Sequence, residues 1–209
     1  MAAPDSPDTL PGAIRYFFTK PTTIGYGILA IIVWALRIQV PSWDWIDSFI
    51  LLGIICGWSF LEWHVHKNSV HRRPDRFKSA YFAKWAGDHR GHHAEPWRFD
   101  LIFLESRILL VAPVLLAVRY LLLPYQYALT FCGVLFYILV QYEWVHYIVH
   151  TRVRPKTRIG KAILMNHRLH HFRNEKYWYA FSVPLVDNIC GTSAEPRSVP
   201  VSDTTRTID

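Results

Sequence analysis

Apolar residues in this chain gather into long unbroken blocks rather than alternating or lining one helical face. Four blocks stand out, Thr22–Val40, Trp43–Leu61, Leu101–Leu123 and Tyr125–Val145. About 20 mostly apolar residues in an α-helix cross the hydrocarbon core of a bilayer, so the pattern predicts an all-α integral membrane protein with four transmembrane helices. The second block is the least regular, because Asp44 and Asp47 fall in its first turns. The third opens with Glu105 and Arg107, charges expected at an interface or against other protein groups. Trp43, Trp45, Trp97, Tyr120, Tyr125 and Trp144 stand close to predicted ends, as interfacial aromatic residues do. No repeat of solenoid length occurs, although each half of the chain reads as a pair of spans followed by histidines.

The polar stretches are unequal. The connection after Leu123 is barely a turn around Pro124, whereas Trp63–Asp100 carries eight Lys/Arg and Thr151–Asp209 carries ten. The positive-inside bias then places both termini and the long central loop on the cytosolic side. Composition agrees: 51% hydrophobic and 19% charged residues, against about 25% charged in soluble domains. A net charge of +7 would suggest nucleic acid in a soluble protein, but here topology and anionic headgroups account for it, and no nucleic-acid partner is expected. Cys56, Cys132 and Cys190 are scattered with no CxxC spacing, which indicates neither a thiolate metal site nor a disulfide framework. Residues 1–21 read as a loose leader rather than a cleaved signal peptide, 22–192 as the membrane-embedded domain, and 193–209 as a weakly ordered tail.

Eleven histidines change the picture from a bundle to a site. They fall in four groups beyond the span centres: His64, His66 and His71; His89, His92 and His93; His146 and His150; His167, His170 and His171. His146 and His150 share one face of a continuing helix, and the two triplets have offsets of zero, three and four, which project three rings to one side of a helix. The total exceeds what one tetrahedral ion needs and points to a dinuclear centre in a histidine-rich cytosolic cap. In the first group, His64 and His71 face together on an uninterrupted helix, whereas His66 and His71 differ by about 140°; unwinding after Leu61 would remove that distinction.

Read in order, H-x4-H from His66 to His71, H-x2-HH from His89 to His93, H-x3-H from His146 to His150 and H-x2-HH from His167 to His171 resemble the signature of the integral-membrane fatty acid hydroxylase/sterol desaturase superfamily. EWxxHK from Glu62 to Lys67, HYxxH of the fourth block and HH-F followed by FSVPLVDNICGT are most similar to the fatty acid (sphingolipid) 2-hydroxylases. The resemblance covers Ile46 to Thr192. It implies metal binding by His66, His71, His89, His92, His93, His146, His150, His167, His170 and His171, and leaves His64 outside the pattern. The sequence departs from that branch at Leu185–Asp187, where relatives often have an aromatic residue before the aspartate, and in AEPW after the middle triplet. Both departures bear on the acyl substrate more than on the metal. The HPGG signature of an attached cytochrome b5 domain does not occur in these residues, so an external donor such as cytochrome b5 or ferredoxin is expected.

Cleaving an unactivated C–H bond needs an oxidant that no side chain provides; two iron ions with dioxygen provide it. Zinc binds the same nitrogens without redox chemistry, so zinc found in purified protein would mark a mis-metallated enzyme rather than a zinc enzyme. Glu62, Asp88, Glu143 and Asp187 lie close enough in sequence to orient the ligand rings. Arg72, Arg73, Arg154 and Lys156 are candidates to hold a lipid headgroup or an anionic donor, and Phe136, Tyr137, Tyr142, Tyr147 and Phe181 to line an acyl groove. The expected reaction is oxygen-dependent hydroxylation of a membrane lipid near the carboxyl or amide end of its acyl chain. A lipid or sterol desaturase of the same superfamily and a non-enzymatic metal-binding membrane protein are the alternatives.

Overall fold

The computed structural model describes residues 6–106, 109, 116, 117 and 121–208. Among them no strand forms. The α-helices among the described residues include, in order, α1 (Leu10–Phe17), α2 (Pro21–Ile38), α3 (Trp45–Val65), α4 (Ala80–Ala94), α5 (Tyr125–Val149), α6 (Arg158–Phe172) and α7 (Leu185–Ile189). α3 continues into a π-helical turn, His66–Val70, and short 3-10 turns occur at Pro74–Arg76 and Phe99–Leu101.

Three helical stretches among the described residues are long and apolar enough to cross a membrane: Pro21–Ile38, Trp45–Val70 and Tyr125–Val149. The expectation of four spans is therefore corrected to three among the described residues. The block Leu101–Leu123 does not begin as a continuous helix. Ile102–Glu105 follow the 3-10 turn without helical structure, and the Leu104 N–H, which a helix would bond back to the Asp100 carbonyl, is donated to Glu143 Oε1 at 3.0 Å. The rest of that block, with Arg107 and Tyr120, lies largely outside the described residues.

The described chain divides into two compact units. One comprises residues 14–58 and 103–144. Here Tyr26, Ala30 and Val33 of α2, spaced four and three apart, bury against Leu129, Cys132 and Phe136 of α5. Gly133 permits the close approach of Trp34, since a Cβ there would lie 3.0 Å from Trp34 Cε2. Along α3, Trp45, Phe49 and Leu52 are 75%, 70% and 59% exposed, an apolar face that suits lipid and not water.

The acids that interrupted the second apolar block have partners in this unit. Asp44 Oδ1 caps the start of α3 by accepting from Ile46 N and Asp47 N at 2.8 and 3.3 Å, while its Oδ2 accepts from Tyr127 Oη at 2.7 Å. Asp47 is wholly buried and pairs with the buried Arg37 guanidinium at 2.8 Å; Thr130 Oγ1 also donates to it. Arg37 Nε also donates to Thr130 Oγ1 at 2.8 Å, and Nη1 and Nη2 donate to the Val40 and Ser42 carbonyls at 3.0 and 2.7 Å, which fastens the α2–α3 turn.

The other unit comprises residues 1–13, 59–102 and 145–209 and contains every histidine. The stretches expected to be loose are bonded here. The Ser6 and Pro7 carbonyls accept from Arg152 at 2.9 and 3.0 Å, and Ala13 is fully buried. Near the other end Val199, Thr205 and Ile208 are buried. The reason is polar, because this stretch supplies partners to Arg173, Asn174 and Glu175 just beyond α6.

Breaking a buried ion pair by removing one partner costs about 3–5 kcal/mol, because the survivor stays buried and uncompensated. Arg37→Ala is therefore expected to lower the thermal unfolding midpoint of detergent-solubilised protein sharply, and the double change Arg37→Met with Asp47→Leu to restore most of it. Equal midpoints for Arg37→Ala and the parent would show that the pair contributes nothing.

Candidate metal centre

Four elements aim ten imidazoles at two points. One group is His66, His71, His89, His93 and His170; the other is His92, His146, His150, His167 and His171. Within each, the ligand nitrogens all lie within 4.8 Å of one another. Each group takes an i, i+4 pair from one triplet helix and a single ring from the other. α4 gives His89 and His93 to the first group and His92 to the second; α6 gives His167 and His171 to the second and His170 to the first. The end of α5 adds His146 and His150, and the end of α3 adds His66 and His71.

The last pair depends on a change of helix type. On an α-helix His66 and His71 would diverge, but the π-helical turn His66–Val70 closes its backbone bond five residues on, and their ring centroids come to 4.9 Å. His64 lies outside both groups, exposed, with Nδ1 3.2 Å from Asn68 Nδ2.

The nitrogens meet as ligands of a shared ion would. Nε2···Nε2 separations are 3.2 Å for His66–His89, 3.0 Å for His71–His170, 3.2 Å for His92–His146 and 2.8 Å for His150–His167. Metal–nitrogen bonds of about 2.0–2.1 Å put adjacent donors roughly 3 Å apart. The buried Nε2 of His93 and both ring nitrogens of His171 have no hydrogen-bond partner among the described residues, a costly state that a cation relieves. The donor set fits a pair of metal ions. The groups adjoin through His93 and His171, whose rings stack with centroids 4.1 Å apart.

Burial keeps these rings neutral and hence able to ligate. It holds His71, His89, His92, His150, His167, His170 and His171 well below the ordinary imidazole value, and pushes His93 down to about 3, with neighbouring histidines adding to the effect. A small cavity of about 20 Å³, room for a molecule the size of water, is lined by His150, His167, Arg168 and His171 among others.

Backbone carbonyls, more than carboxylates, orient the rings. Nδ1 of His66, His170 and His93 donates to the carbonyls of Tyr179, Tyr177 and Thr205 at 2.5, 2.7 and 3.0 Å, which leaves each Nε2 for an ion. Between the two tyrosines Trp178 adopts a left-handed backbone, φ 56°, and is almost wholly buried. So strained a residue needs a rigid surround, and Asp187 supplies it. Its carboxylate accepts from Tyr179 N, Ala180 N, Asn166 Nδ2 and Thr192 Oγ1 at 2.9, 2.9, 2.8 and 2.6 Å. Gly191, at φ 69°, makes the turn that returns Thr192 to Asp187.

The other acids expected near the rings sit differently. Glu62 is buried and accepts from Ser182 N at 2.9 Å, bracing the residue after Phe181, whose ring stacks on His146 at 4.9 Å. Glu143 is occupied by Thr22 Oγ1, Thr23 Oγ1 and Leu104 N at 2.7, 3.1 and 3.0 Å. Asp88 forms an i, i+4 pair with Lys84 at the surface. Arg72, Arg73, Arg154 and Lys156 are exposed; Arg73 pairs with Asp75 at 3.3 Å and Arg72 lies over Phe77. Of the proposed groove residues, Phe136 stacks on Tyr26 in the core, Tyr142 meets Trp58 edge-on, Tyr147 is buried against Phe99, and Tyr137 is 62% exposed. The roles of Asn166, Glu175, Thr192 and Thr205 carry no mark in the sequence, where isolated polar residues give no signal of what they will face.

A family model described as fatty acid hydroxylase matches residues 50–192. A solved structure described as "Full length scs7p (only hydroxylase domain visible)" is similar over 87% of this chain and 68% of that chain, with a TM-score of 0.68 and 16% identity, a likeness of fold. No curated protein matches.

In the metal-free protein the depressed imidazoles link stability to pH. Above the ordinary value of about 6.5 both folded and unfolded chains hold them neutral; below it the unfolded chain binds protons that the folded chain refuses, so stability is lost as pH falls toward the folded values, about 3 for His93. Chelator-treated protein is expected to show a level thermal midpoint from about pH 8 to 7 and a steady fall below about pH 6.5. A midpoint constant down to about pH 4.5 would contradict a buried neutral site.

Proposed function

This chain belongs to the fatty acid hydroxylase family, as a membrane oxidoreductase whose two histidine groups are compatible with a dinuclear metal site, and on that premise we propose that it hydroxylates the acyl chain of a membrane lipid near its carboxyl or amide end. The ten histidines of the two groups are the ligands, the native metal is iron, and zinc enters purified protein as a contaminant. The observation that carries this reading is the convergence of ten imidazole nitrogens, from four elements, on two adjoining points. Such an array is rich in neutral donors and includes no carboxylate ligand. The sphingolipid-hydroxylase branch is favoured by the EWxxHK and FSVPLVDNICGT stretches.

An iron pair bound there supplies oxygen activation: with two electrons and two protons, one atom of dioxygen enters the C–H bond as hydroxyl and the other leaves as water. The chain's own residues prepare for this. His66, His93 and His170 keep a proton on Nδ1, held by carbonyls, so that each ring presents one fixed lone pair. Burial excludes water and protons that would compete for the nitrogens. The Phe181 ring, packed on His146 and near His66 and His167, gives the site an apolar wall beside which a methylene rests without loss of hydrogen bonds. The basic stretches put the histidine unit on the cytosolic side, within reach of an external donor such as cytochrome b5 or ferredoxin. Arg72, Arg73, Arg154 and Lys156 are among the exposed cations there that would meet an anionic donor or headgroup.

Lipid mass spectrometry after supply of iron, oxygen and a competent reductant tests the reading. The expected product is one oxygen atom heavier than the substrate. A product two hydrogen atoms lighter would identify a desaturase, and metal occupancy without lipid conversion a metal-binding protein. His171→Ala is expected to lose bound metal and nearly all turnover while still inserting in the membrane; unchanged product formation would remove His171 from the site.

A further inference from the structure

We propose that Glu175 and the segment Ser202–Thr207 form a strap that positions His93, so that the far end of this chain determines which nitrogen of one ring is presented to an ion. The proposal rests on the reading of His93 as a ligand.

The contacts form one continuous chain. Glu175, 2% exposed, accepts from Thr204 Oγ1 at 2.6 Å and from Thr205 Oγ1 at 3.2 Å, and the Thr205 hydroxyl shares its proton with the Ser202 carbonyl at 3.0 Å. Burial opposes its charge, but the Thr204, Ser202 and Thr205 hydroxyls outweigh burial and hold the carboxyl below its ordinary range. Held this way, Thr205 turns its carbonyl to His93 Nδ1 at 3.0 Å. The next residue grips the backbone of the same histidine: Arg206 Nη1 donates to the His93 and Ala94 carbonyls at 3.0 and 3.3 Å, capping the end of α4. Arg90 Nη1, one turn earlier on α4, donates back to the Thr207 carbonyl at 2.9 Å. The strap's approach is tied by Ser202 N to the Arg173 carbonyl at 2.9 Å and by Arg173 Nε to the Val199 carbonyl at 2.7 Å. Buried Val199 and Ile208 anchor its two ends.

A neutral imidazole carries its proton on either nitrogen, and only the other can ligate. With Nδ1–H committed to the Thr205 carbonyl, the lone pair sits on Nε2, the atom buried without a partner among the described residues. Remove the strap and both the tautomer and the ring angle are released. Because His93 stacks on His171, that freedom reaches a ring of the second group, but the nitrogen directly affected belongs to the first. Losing a ligand's orienting partner typically costs about 10–100-fold in metal affinity. A tether serving the fold alone would weaken both sites together or neither.

The test uses the full chain in detergent, loaded with iron enriched for Mössbauer spectroscopy, with iron per chain followed against rising chelator. The double variant Thr204→Val/Thr205→Val removes the hydroxyls that Glu175 holds while keeping side-chain shape. It is expected to release one of its two irons at about tenfold lower chelator or less, with altered spectral parameters for that iron alone and circular dichroism unchanged. Glu175→Gln, which keeps an acceptor oxygen, is expected to fall between this variant and the parent, and it stands in if the double variant misfolds. Simultaneous loss of both irons, or chelator curves and spectra equal to the parent's in a folded variant, would overturn the strap. His93→Ala separates the two readings. If it loses one iron while the strap variants lose none, the strap fails alone; if it keeps both irons with the parent spectrum, the ligand reading fails and the strap with it.

Discussion

The structure of the histidine unit depends on keeping ten imidazoles uncharged, packed together, and turned so that their lone pairs converge. Protonation of any few would set like charges about 5 Å apart in a medium that screens poorly, and rotation of any one would exchange a lone pair for a proton. Burial prevents the first. The carbonyls of Tyr177, Tyr179 and Thr205 prevent the second for three of the rings. Much of the surrounding polar structure exists to hold those carbonyls still, with Asp187 gathering four donors beneath the tyrosines and Glu175 two hydroxyls beside the threonine.

This arrangement differs from the common one in which a carboxylate faces the far nitrogen of a ligating histidine. A carbonyl is a weaker acceptor and adds no net charge, so the rings remain neutral donors and any bound cations stay more electropositive. The carboxylates that might have served are placed one step further away. Asp187 and Glu62 act on backbone N–H groups of the Tyr179–Ser182 stretch, and Glu143 bonds to threonines and a loop amide in the other unit. Local rigidity, and not direct charge, is what these acids contribute.

What the sequence made legible followed from regular periods. The triplet offsets of zero, three and four, and the i, i+4 spacing of His146 and His150, translate directly into shared helical faces, and the structure gathers those rings. Periodicity is silent where the backbone departs from an α-helix. Helical spacing alone leaves the partner of His71 open between His64 and His66, and a π turn brings His66 to it; hydropathy reads the segment after Asp100 as a span, yet Leu104 gives its N–H to a side chain instead of a helical carbonyl. The stretch beyond residue 193 looked weakly ordered because its composition is polar and proline-containing, and composition does not register that a buried Glu175 awaits its hydroxyls. The partners of Nδ1 in His66, His93 and His170 are main-chain carbonyls, which every residue possesses, and no motif distinguishes them.

The division of each triplet between the two groups has a mechanical corollary. Since α4 and α6 each serve both clusters, with two rings to one and a single ring to the other, turning either helix by a single residue, about 100°, would disengage three rings from both centres simultaneously. The spacing between the two centres is thereby written into helical pitch, like the separation of teeth on meshed gears, and selection acting on one cannot retune it without answering for the other.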